Sequence, residues 1–304
     1  MFEIGFNKTL QIQAILFNNT PDKIMLSLDS IENALRIEKE RSNLLGSVVV
    51  CYGDSSDNPI FYDGDIESLN IKYKASFYIK YTYFGVNAGF GKGQNLLGAE
   101  CNMDYMLIMN PDIVLSPDFF EFMFEPFAQT DIGLVEARQT PIEHPKEYDI
   151  ETGETSWATG ACIIVPTDLF KVVNGFDANS FFMYCEDVDF SWRIRLEGKK
   201  IIYQPLACAF HAKNLSSNGF WQPTEAERYY TEESRLMMAY KWSNDLWLDE
   251  LLGMYLASDD PNKKKALGTF HQKKAEGALP EQIDSDHAIA TFMNGEYTAH
   301  KYIL

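Results

Sequence analysis

Within the stretch from Trp157 to His211, three acids, Glu186, Asp187 and Asp189, follow an apolar, aromatic-rich run. Ionised side chains beside so much apolar surface must be paired, must bind a cation, or must reach into a solvent-filled cleft. A cation would make this a metal site, and a cleft would make it an active site. The run Ala161 to Val165 reads as a strand, and Phe190 to Glu197 mixes Trp192, Ile194 and Leu196 with Arg193 and Arg195 in a short helical pattern. Glu186 and Asp187 then fall at or just before a helix N-terminus. The helix dipole there favours the carboxylate, the form a general base must hold at neutral pH. The same placement suits plain helix capping, so the cluster alone leaves both readings open.

The elements that would position these acids can be read upstream. Leu10 to Phe17 is a buried-strand pattern ending in Asn18-Asn19-Thr20-Pro21, a turn and helix start, with a helix following through Met25, Leu28, Ile31 and Leu35. Gly46 to Tyr52 is a valine-rich strand closed by Gly53-Asp54-Ser55-Ser56-Asp57, and Ile71 to Tyr83 contains another, leading into the Gly-rich stretch Asn87 to Asn95. A helix through Leu96, Leu97 and Ala99 precedes a short strand, Tyr105 to Met109. Strands alternating with helices predict an α/β layered fold with a largely parallel sheet. Ligands of such folds bind beyond the carboxyl ends of the strands. Asn18, Asp54, Asp57, Asn87, Asn95 and Asp112 each follow an apolar strand run. Singly each suits a turn, but together they mark one edge. Past His211, Lys213 to Pro223 is loop-like, and helical patterns run over Glu225 to Trp242, Leu246 to Leu256 and from Pro261. This predicts a main domain at 1–212 and a helical C-terminal region at 213–304.

Composition narrows the function. A 304-residue chain with 46% hydrophobic content can bury one sizeable core. Its formal charge of -18 repels a phosphate backbone, which argues against nucleic acid as a partner. A phosphorylated small substrate would need a local cation to offset the same charge. No apolar run approaches the roughly 20 residues needed to cross a bilayer, and the N-terminus lacks a signal-peptide layout, so the expected location is cytoplasmic. Cys51, Cys101, Cys162, Cys185 and Cys208 are odd in number and mostly sit in apolar runs, predicting buried free thiols. Lys263 to Lys265, with Lys273 and Lys274, reads as a solvated helix face.

Three segments in order carry a family resemblance: Asn87 to Asn95, Leu107-Ile108-Met109-Asn110-Pro111-Asp112, and the Trp157 to His211 block with its ATGA, NGFD and CEDVDFSWRIRLEG elements. They resemble the family 2 glycosyltransferases, whose GT-A fold is Rossmann-like, with a mostly parallel central sheet and helices on both faces. The similarity covers most of residues 10 to 211 and is nearest to bacterial rhamnosyl- and galactofuranosyltransferase-like members. The resemblance implies an inverting, metal-dependent enzyme that moves a sugar from a UDP or dTDP sugar to a hydroxyl of a glycan or lipid-linked glycan acceptor, in bacterial surface polysaccharide synthesis. It would work at the inner face of the membrane without spanning it.

What the resemblance implies for residues can be stated one by one. Asp112 is the first choice as ligand to a divalent cation, Mn2+ or Mg2+. Its position usually belongs to an Asp-x-Asp pattern, of which Asn110 here replaces the first acid. His211 matches a histidine that closes the metal site in related enzymes. Asp187 takes the role of base toward the acceptor hydroxyl, with Glu186 orienting substrate and Asp189 structural, capping the helix or pairing with Arg193 or Arg195. Phe17 and Asn18 would contact base and ribose, and Asp54 or Asp57 would accept hydrogen bonds from base or sugar. The acid usual after the second strand is replaced by Tyr52-Gly53. Asn87, Gly89, Gly91, Gly93 and Asn95 would let backbone approach the ribose and diphosphate, with Lys92 as a phosphate contact. Trp157, Thr159, Gly160 and Ala161 match the acceptor and donor-sugar floor. The polar run from Glu136 through Arg138 and Gln139 to Lys146 would line the cleft, with Arg138 on donor phosphate.

Two other readings compete. A sugar nucleotidyltransferase would want a Gly-rich phosphate loop after the first strand, which Asn18-Asn19-Thr20-Pro21 is not. A degenerate glycan- or nucleotide-binding module is favoured only by Asn110. The region 213–304 would cover the acceptor side, form a homodimer interface, or dock a partner.

Overall fold

The computed structural model describes residues 7–211, 222–293 and 295–302. In chain order the first half comprises β1 (Lys8–Leu16), α1 (Pro21–Arg41), β2 (Leu45–Asp54), α2 (Asp63–Tyr73), β3 (Tyr78–Tyr83), α3 (Phe90–Ala99), β4 (Tyr105–Met109), β5 (Ile113–Leu115), α4 (Phe119–Phe124) and β6 (Ile132–Thr140). There follow β7 (Glu154–Thr155), β8 (Cys162–Pro166), α5 (Thr167–Val172), α6 (Glu186–Leu196), β9 (Lys200–His211), α7 (Glu225–Lys241), α8 (Asp245–Ala257) and α9 (Pro261–Ala275).

Period-two alternation builds the two faces of the sheet. Leu10, Ile12, Ala14 and Leu16 of β1, with Leu107 and Met109 of β4 and Cys162 and Ile164 of β8, pack against Ile24, Leu28 and Ile31 of α1 and Phe119 and Phe120 of α4. Met106, Ile108, Ile163 and Val165 point the other way, onto Phe170 of α5 and Phe190 and Ile194 of α6. Helices therefore cover both faces. The opposite face of β1 carries buried amides instead of hydrocarbon. Gln11 donates to Gln13 (2.8 Å) and Gln13 to the Gln94 side chain (2.9 Å), fixing α3 on the strand.

The strand order is β3-β2-β1-β4-β8-β6-β9-β5, with β7 beside β9. β3, β2, β1 and β4 are parallel, as are β6 and β9, while β8 lies antiparallel between the two sets. The largely parallel expectation thus holds within each set; β8 is an exception between the sets, and the short β5 and β7 run antiparallel to β9. A short apolar run such as Cys162 to Val165 reads the same in either direction, so hydropathy carries no sign of the reversal. The reversal puts the start of β8 at the edge where β1 to β4, β6 and β9 end.

α6 is shared between two cores. Phe190 and Ile194 face the sheet, and Val188 and Trp192 face Leu236, Met237 and Trp242 of the α7 region and Leu248, Leu251 and Tyr255 of α8. Between them lies Asp189, fully buried, receiving Arg193 Nε (2.7 Å), Lys241 Nζ (2.7 Å) and Trp242 Nε1 (3.1 Å). It is a structural residue, with the Arg193 pairing anticipated above. α7 begins with a reciprocal cap, Thr224 with Glu227, and Pro261 opens α9. Most of the expected loop at Lys213 to Pro223 lies outside the described residues. The chain after α9 returns to the main domain: Glu147 N donates to Ala299 O and Lys301 N to Pro145 O, both at 2.8 Å.

Among the described residues no helix is long and apolar enough to cross a membrane. All five cysteines are free. A groove of about 720 Å³ lined by Asp29, Glu32, Arg36 and Lys39 opens where β1 and β2 begin, opposite the edge that holds the candidates Asp112, Asp187 and His211.

Candidate active site

The turn into α6 is held in an uncommon backbone form. Tyr184 and Cys185 both adopt left-handed φ values, 68° and 63°. Two contacts from the C-terminal region hold them: Tyr184 donates its hydroxyl to Glu227 (2.9 Å), and Cys185 Sγ lies 3.1 Å from the Tyr297 hydroxyl. Glu186 and Asp187 are the first two residues of α6. Asp187 accepts Gly160 N–H on Oδ2 and Val188 N–H on Oδ1, each at 2.9 Å. Burial raises its pKa, against the lowering influence of those two N–H groups. Glu186 is pushed up to about 8, first by burial and then by the charge of Asp187, and its Oε2 has no hydrogen-bond partner among the described residues. The helix dipole was expected to keep both acids ionised. Burial works against it at both acids.

The ATGA segment, Ala158 to Ala161, ties this helix to the sheet. Ala158 N donates to Ser191 Oγ (3.0 Å), Gly160 N to Asp187, and Ala161 O accepts Asn110 N–H (2.9 Å). A Cβ on Gly160 would lie 3.2 Å from the Phe90 ring and 3.3 Å from the Asp187 Cβ, so glycine permits the close approach. Thr159 donates its hydroxyl to Glu136, and receives Gln139 Nε2 at 2.6 Å. Glu136 and Lys146 form an ion pair with both side chains only 3% exposed. Lys146 also donates to Trp157 O (2.7 Å), and burial lowers its pKa against the opposing pull of Glu136.

Asp112 and His211 meet through strand register. β5 pairs antiparallel with β9, placing Ile113 opposite His211, so the residue before Ile113 stands beside the imidazole. Asp112 Oδ1 is 3.5 Å from His211 Nε2, Asn110 Nδ2 is 3.3 Å from the same nitrogen, and His211 Nδ1 is 3.1 Å from Gln139 Oε1. Both side chains are mostly buried yet retain some exposure. One carboxylate oxygen with one imidazole nitrogen and a nearby amide is a donor set compatible with Mn2+ or Mg2+. Among the described residues no group of three or more His, Cys, Asp or Glu converges as a cation cage, so these residues offer a partial set.

At the other end of this edge, the loops after β1, β2 and β3 are laced together. Ser55 N donates to Leu16 O (2.8 Å), Asn18 N to Ser56 Oγ (2.8 Å) and Ala88 N to Ser55 Oγ (3.3 Å). Phe17, Asn18, Asp57, Asn87 and Lys92 are exposed around them, and Arg138 is exposed on β6.

Four expected contacts are corrected here. Asp54 is fully buried, and its carboxylate accepts Ser56 N–H (2.9 Å), Ile60 N–H (2.8 Å) and the Tyr81 hydroxyl, so it shapes the loop instead of presenting oxygens to a base. Asn95 clamps the backbone of Phe176 on both sides, accepting its N–H (2.8 Å) and donating to its carbonyl (2.7 Å). Gly93 is a packing glycine, since a Cβ there would lie 2.8 Å from Ile15, whereas Gly89 serves a φ of 72° at the start of α3. Trp157 is buried between His144 and the Lys146 ammonium and offers no open ring face for a sugar. Glu136, Gln139 and Lys146 went unselected within a run recognised only as polar. Their signal was available: a Glu and a Gln inside an otherwise apolar strand need buried partners.

No family profile matches the chain. The chain is similar to rhamnosyltransferase WbbL of Escherichia coli K12, with 26% identity over 213 residues, covering 58% of this chain and 80% of that one. It is similar to the N-acetylglucosaminyl-diphospho-decaprenol L-rhamnosyltransferase of Mycobacterium tuberculosis, with 40% identity over 180 residues, covering 44% of this chain and 58% of the relative's length. Among solved structures, GalNAc-T7 with UDP, GalNAc and Mn2+ superposes with a TM-score of 0.65 at 11% identity, covering 93% of this chain and 57% of that one. The mannosyltransferase PcManGT from Pyrobaculum calidifontis, with GDP-Man and Mn2+, gives 0.53 at 15% identity, covering 93% of this chain and 78% of that one. The fold is the GT-A fold.

Proposed function

We propose that this chain, a family 2 glycosyltransferase of the rhamnosyltransferase-like type, moves a sugar from a UDP or dTDP sugar to a hydroxyl of a glycan or lipid-linked glycan acceptor, with inversion and with a divalent cation. The observation that carries the reading is the bonded segment Ala158 to Ala161, which joins the Asp187 carboxylate to Asn110 and so to the turn bearing Asp112. Base and leaving-group machinery on one rigid strip is what a single displacement needs.

Asp187 takes the proton of the acceptor hydroxyl as its oxygen attacks the anomeric carbon and the diphosphate oxygen leaves from the opposite face. A carboxylate whose pKa is raised by burial is a stronger base than a solvated one, provided it remains ionised. Glu186 assists by orienting substrate through a hydrogen bond to a sugar oxygen. Asp112 and His211 would hold the cation, which when bound neutralises charge developing on the diphosphate. The Mn2+ present with UDP and GalNAc in GalNAc-T7 and with GDP-Man in PcManGT supports that assignment, as does the chain's charge of -18, which makes an anionic donor costly without a cation.

Phe17, Asn18, Asp57 and Asn87 border the nucleotide, Arg138 its phosphates, and Thr159 and Gly160 the transferred sugar. Residues 1–212 carry donor and chemistry, while 213–304 border the acceptor side, a division favoured by the contacts of Glu227 and Tyr297 on the turn before α6. A lipid-linked acceptor is favoured by the name of the Mycobacterium tuberculosis relative, an N-acetylglucosaminyl-diphospho-decaprenol L-rhamnosyltransferase.

The test is a panel of uridine- and thymidine-diphosphate sugars with Mn2+, applied to the native protein, Asp187→Asn and Asp112→Ala. Nucleoside diphosphate released from one donor by the native protein and lost in both variants is the expected result. Equal release, or none, in all three would remove the reading.

A further inference from the structure

The polar contacts that run from Glu136 to His211 order their protons from the inner end outward. They begin at Glu136, buried and paired with the Lys146 ammonium, so its carboxylate accepts and does not donate. The Thr159 hydroxyl has one hydrogen, and it goes to Glu136. Toward Gln139, 2.6 Å away, Thr159 can therefore act only as acceptor, which fixes the Gln139 amide with Nε2 facing Thr159 and Oε1 facing His211. A carbonyl oxygen 3.1 Å from His211 Nδ1 requires a proton on that nitrogen. In the neutral imidazole the lone pair then belongs to Nε2, the nitrogen 3.3 Å from the Asn110 amide and 3.5 Å from the Asp112 carboxylate.

We propose that Glu136, through Thr159 and Gln139, is a positioning residue that holds neutral His211 in its Nδ1–H tautomer, and that this relay sets the affinity of the Asp112–His211 pair for a divalent cation. The inference rests on the reading of His211 as a cation ligand. A lone pair and an anionic oxygen at 3.5 Å repel one another and attract a cation, so the relay prepares the pair in advance. The Lys146 charge, held by Glu136 and by Trp157 O (2.7 Å), anchors the far end away from solvent. Outer-shell partners of a ligating histidine commonly change metal affinity by about 10–100-fold when removed.

The tautomer can be read without metal or turnover. Protein labelled with ¹⁵N-histidine is stripped of cations, held at pH 8, and its long-range ¹H–¹⁵N correlations recorded, with the His211 signals identified by their loss in His211→Asn. The native protein and Thr159→Ser should show the Nδ1–H pattern. Thr159→Val, which lets the Gln139 amide turn over, should gain the Nε2–H form and bind Mn2+ at least about 10-fold more weakly, followed by the signal of free Mn2+ in electron paramagnetic resonance. If Thr159→Val fails to fold by circular dichroism, Gln139→Met cuts the relay without touching the ion pair and should behave alike. An Nε2–H pattern in the native protein overturns the proposal, as does an unchanged pattern in the cut variants. A changed tautomer with unchanged Mn2+ affinity leaves the relay standing and removes His211 from the cation site.

Discussion

The two ends of the same sheet edge treat buried carboxyls in opposite ways. After β2, Asp54 is fully buried and receives two backbone N–H groups and a tyrosine hydroxyl. At the start of α6, Glu186 is almost as buried, but one of its oxygens has no partner among the described residues, and burial lifts both it and Asp187 above their ordinary pKa. The donors around Asp54 make a stable loop. Glu186, by contrast, keeps one oxygen without a donor among the described residues, and under-compensated burial of this kind is common at chemical sites.

The sharpest way to break this contrast is Asp187→Asn, which removes the base and, with its single amide oxygen, keeps one of the two backbone N–H contacts. The expected result is a fall in kcat of about 10²–10⁴-fold with donor affinity retained. A fall in donor affinity alone would instead make Asp187 a binding residue. Next in size is Asp189→Ala, which leaves Arg193 and Lys241 facing an empty site. Loss of a buried partner of this kind costs about 3–5 kcal/mol and should appear as a large drop in Tm.

Asn95→Ala tests the correction on the donor side. It should cost about 1–3 kcal/mol of stability through the two lost Phe176 contacts, with nucleotide affinity held. A collapse of nucleotide affinity in a protein of native stability would return Asn95 to the donor site.

The smallest effect is a slope. Between the ordinary value of 4.5 and its folded value of about 8, Glu186 keeps a proton in the folded protein that the unfolded chain has released. Stability from this group is therefore complete below 4.5 and is lost as pH rises through 8. Denaturant midpoints at pH 5 and pH 8 should differ less in Glu186→Gln than in the native protein. The same difference in both would assign the pH dependence to other groups.

What was legible in the sequence follows from what each signal measures. Apolar periodicity located β1, β2 and β4 and the helices of the C-terminal region, because burial itself writes the pattern. Family motifs pointed to Asp112, Asp187 and His211; strand register puts Asp112 beside His211, and the ATGA segment bonds both to the Asp187 carboxylate and to Asn110. Asp54, Asn95 and Trp157 were misjudged because a polar or aromatic residue near a strand end looks the same whether it faces a ligand or its own backbone. Only the partners decide, and Tyr81, Phe176 and Lys146 are not neighbours in sequence. The Glu136–Thr159–Gln139 relay was invisible for the same reason.

The double packing of α6 also governs how the protein comes apart. Its sheet-side residues Phe190 and Ile194 and its outer residues Val188 and Trp192 belong to different cores, so the helix cannot be exposed by melting one core alone. Its amide hydrogens should exchange with solvent only when both cores open, making it part of the slowest-exchanging unit. Any molecule that grips α7 or α8 from outside would stiffen the helix that carries Asp187, and would be felt at the chemistry without touching it.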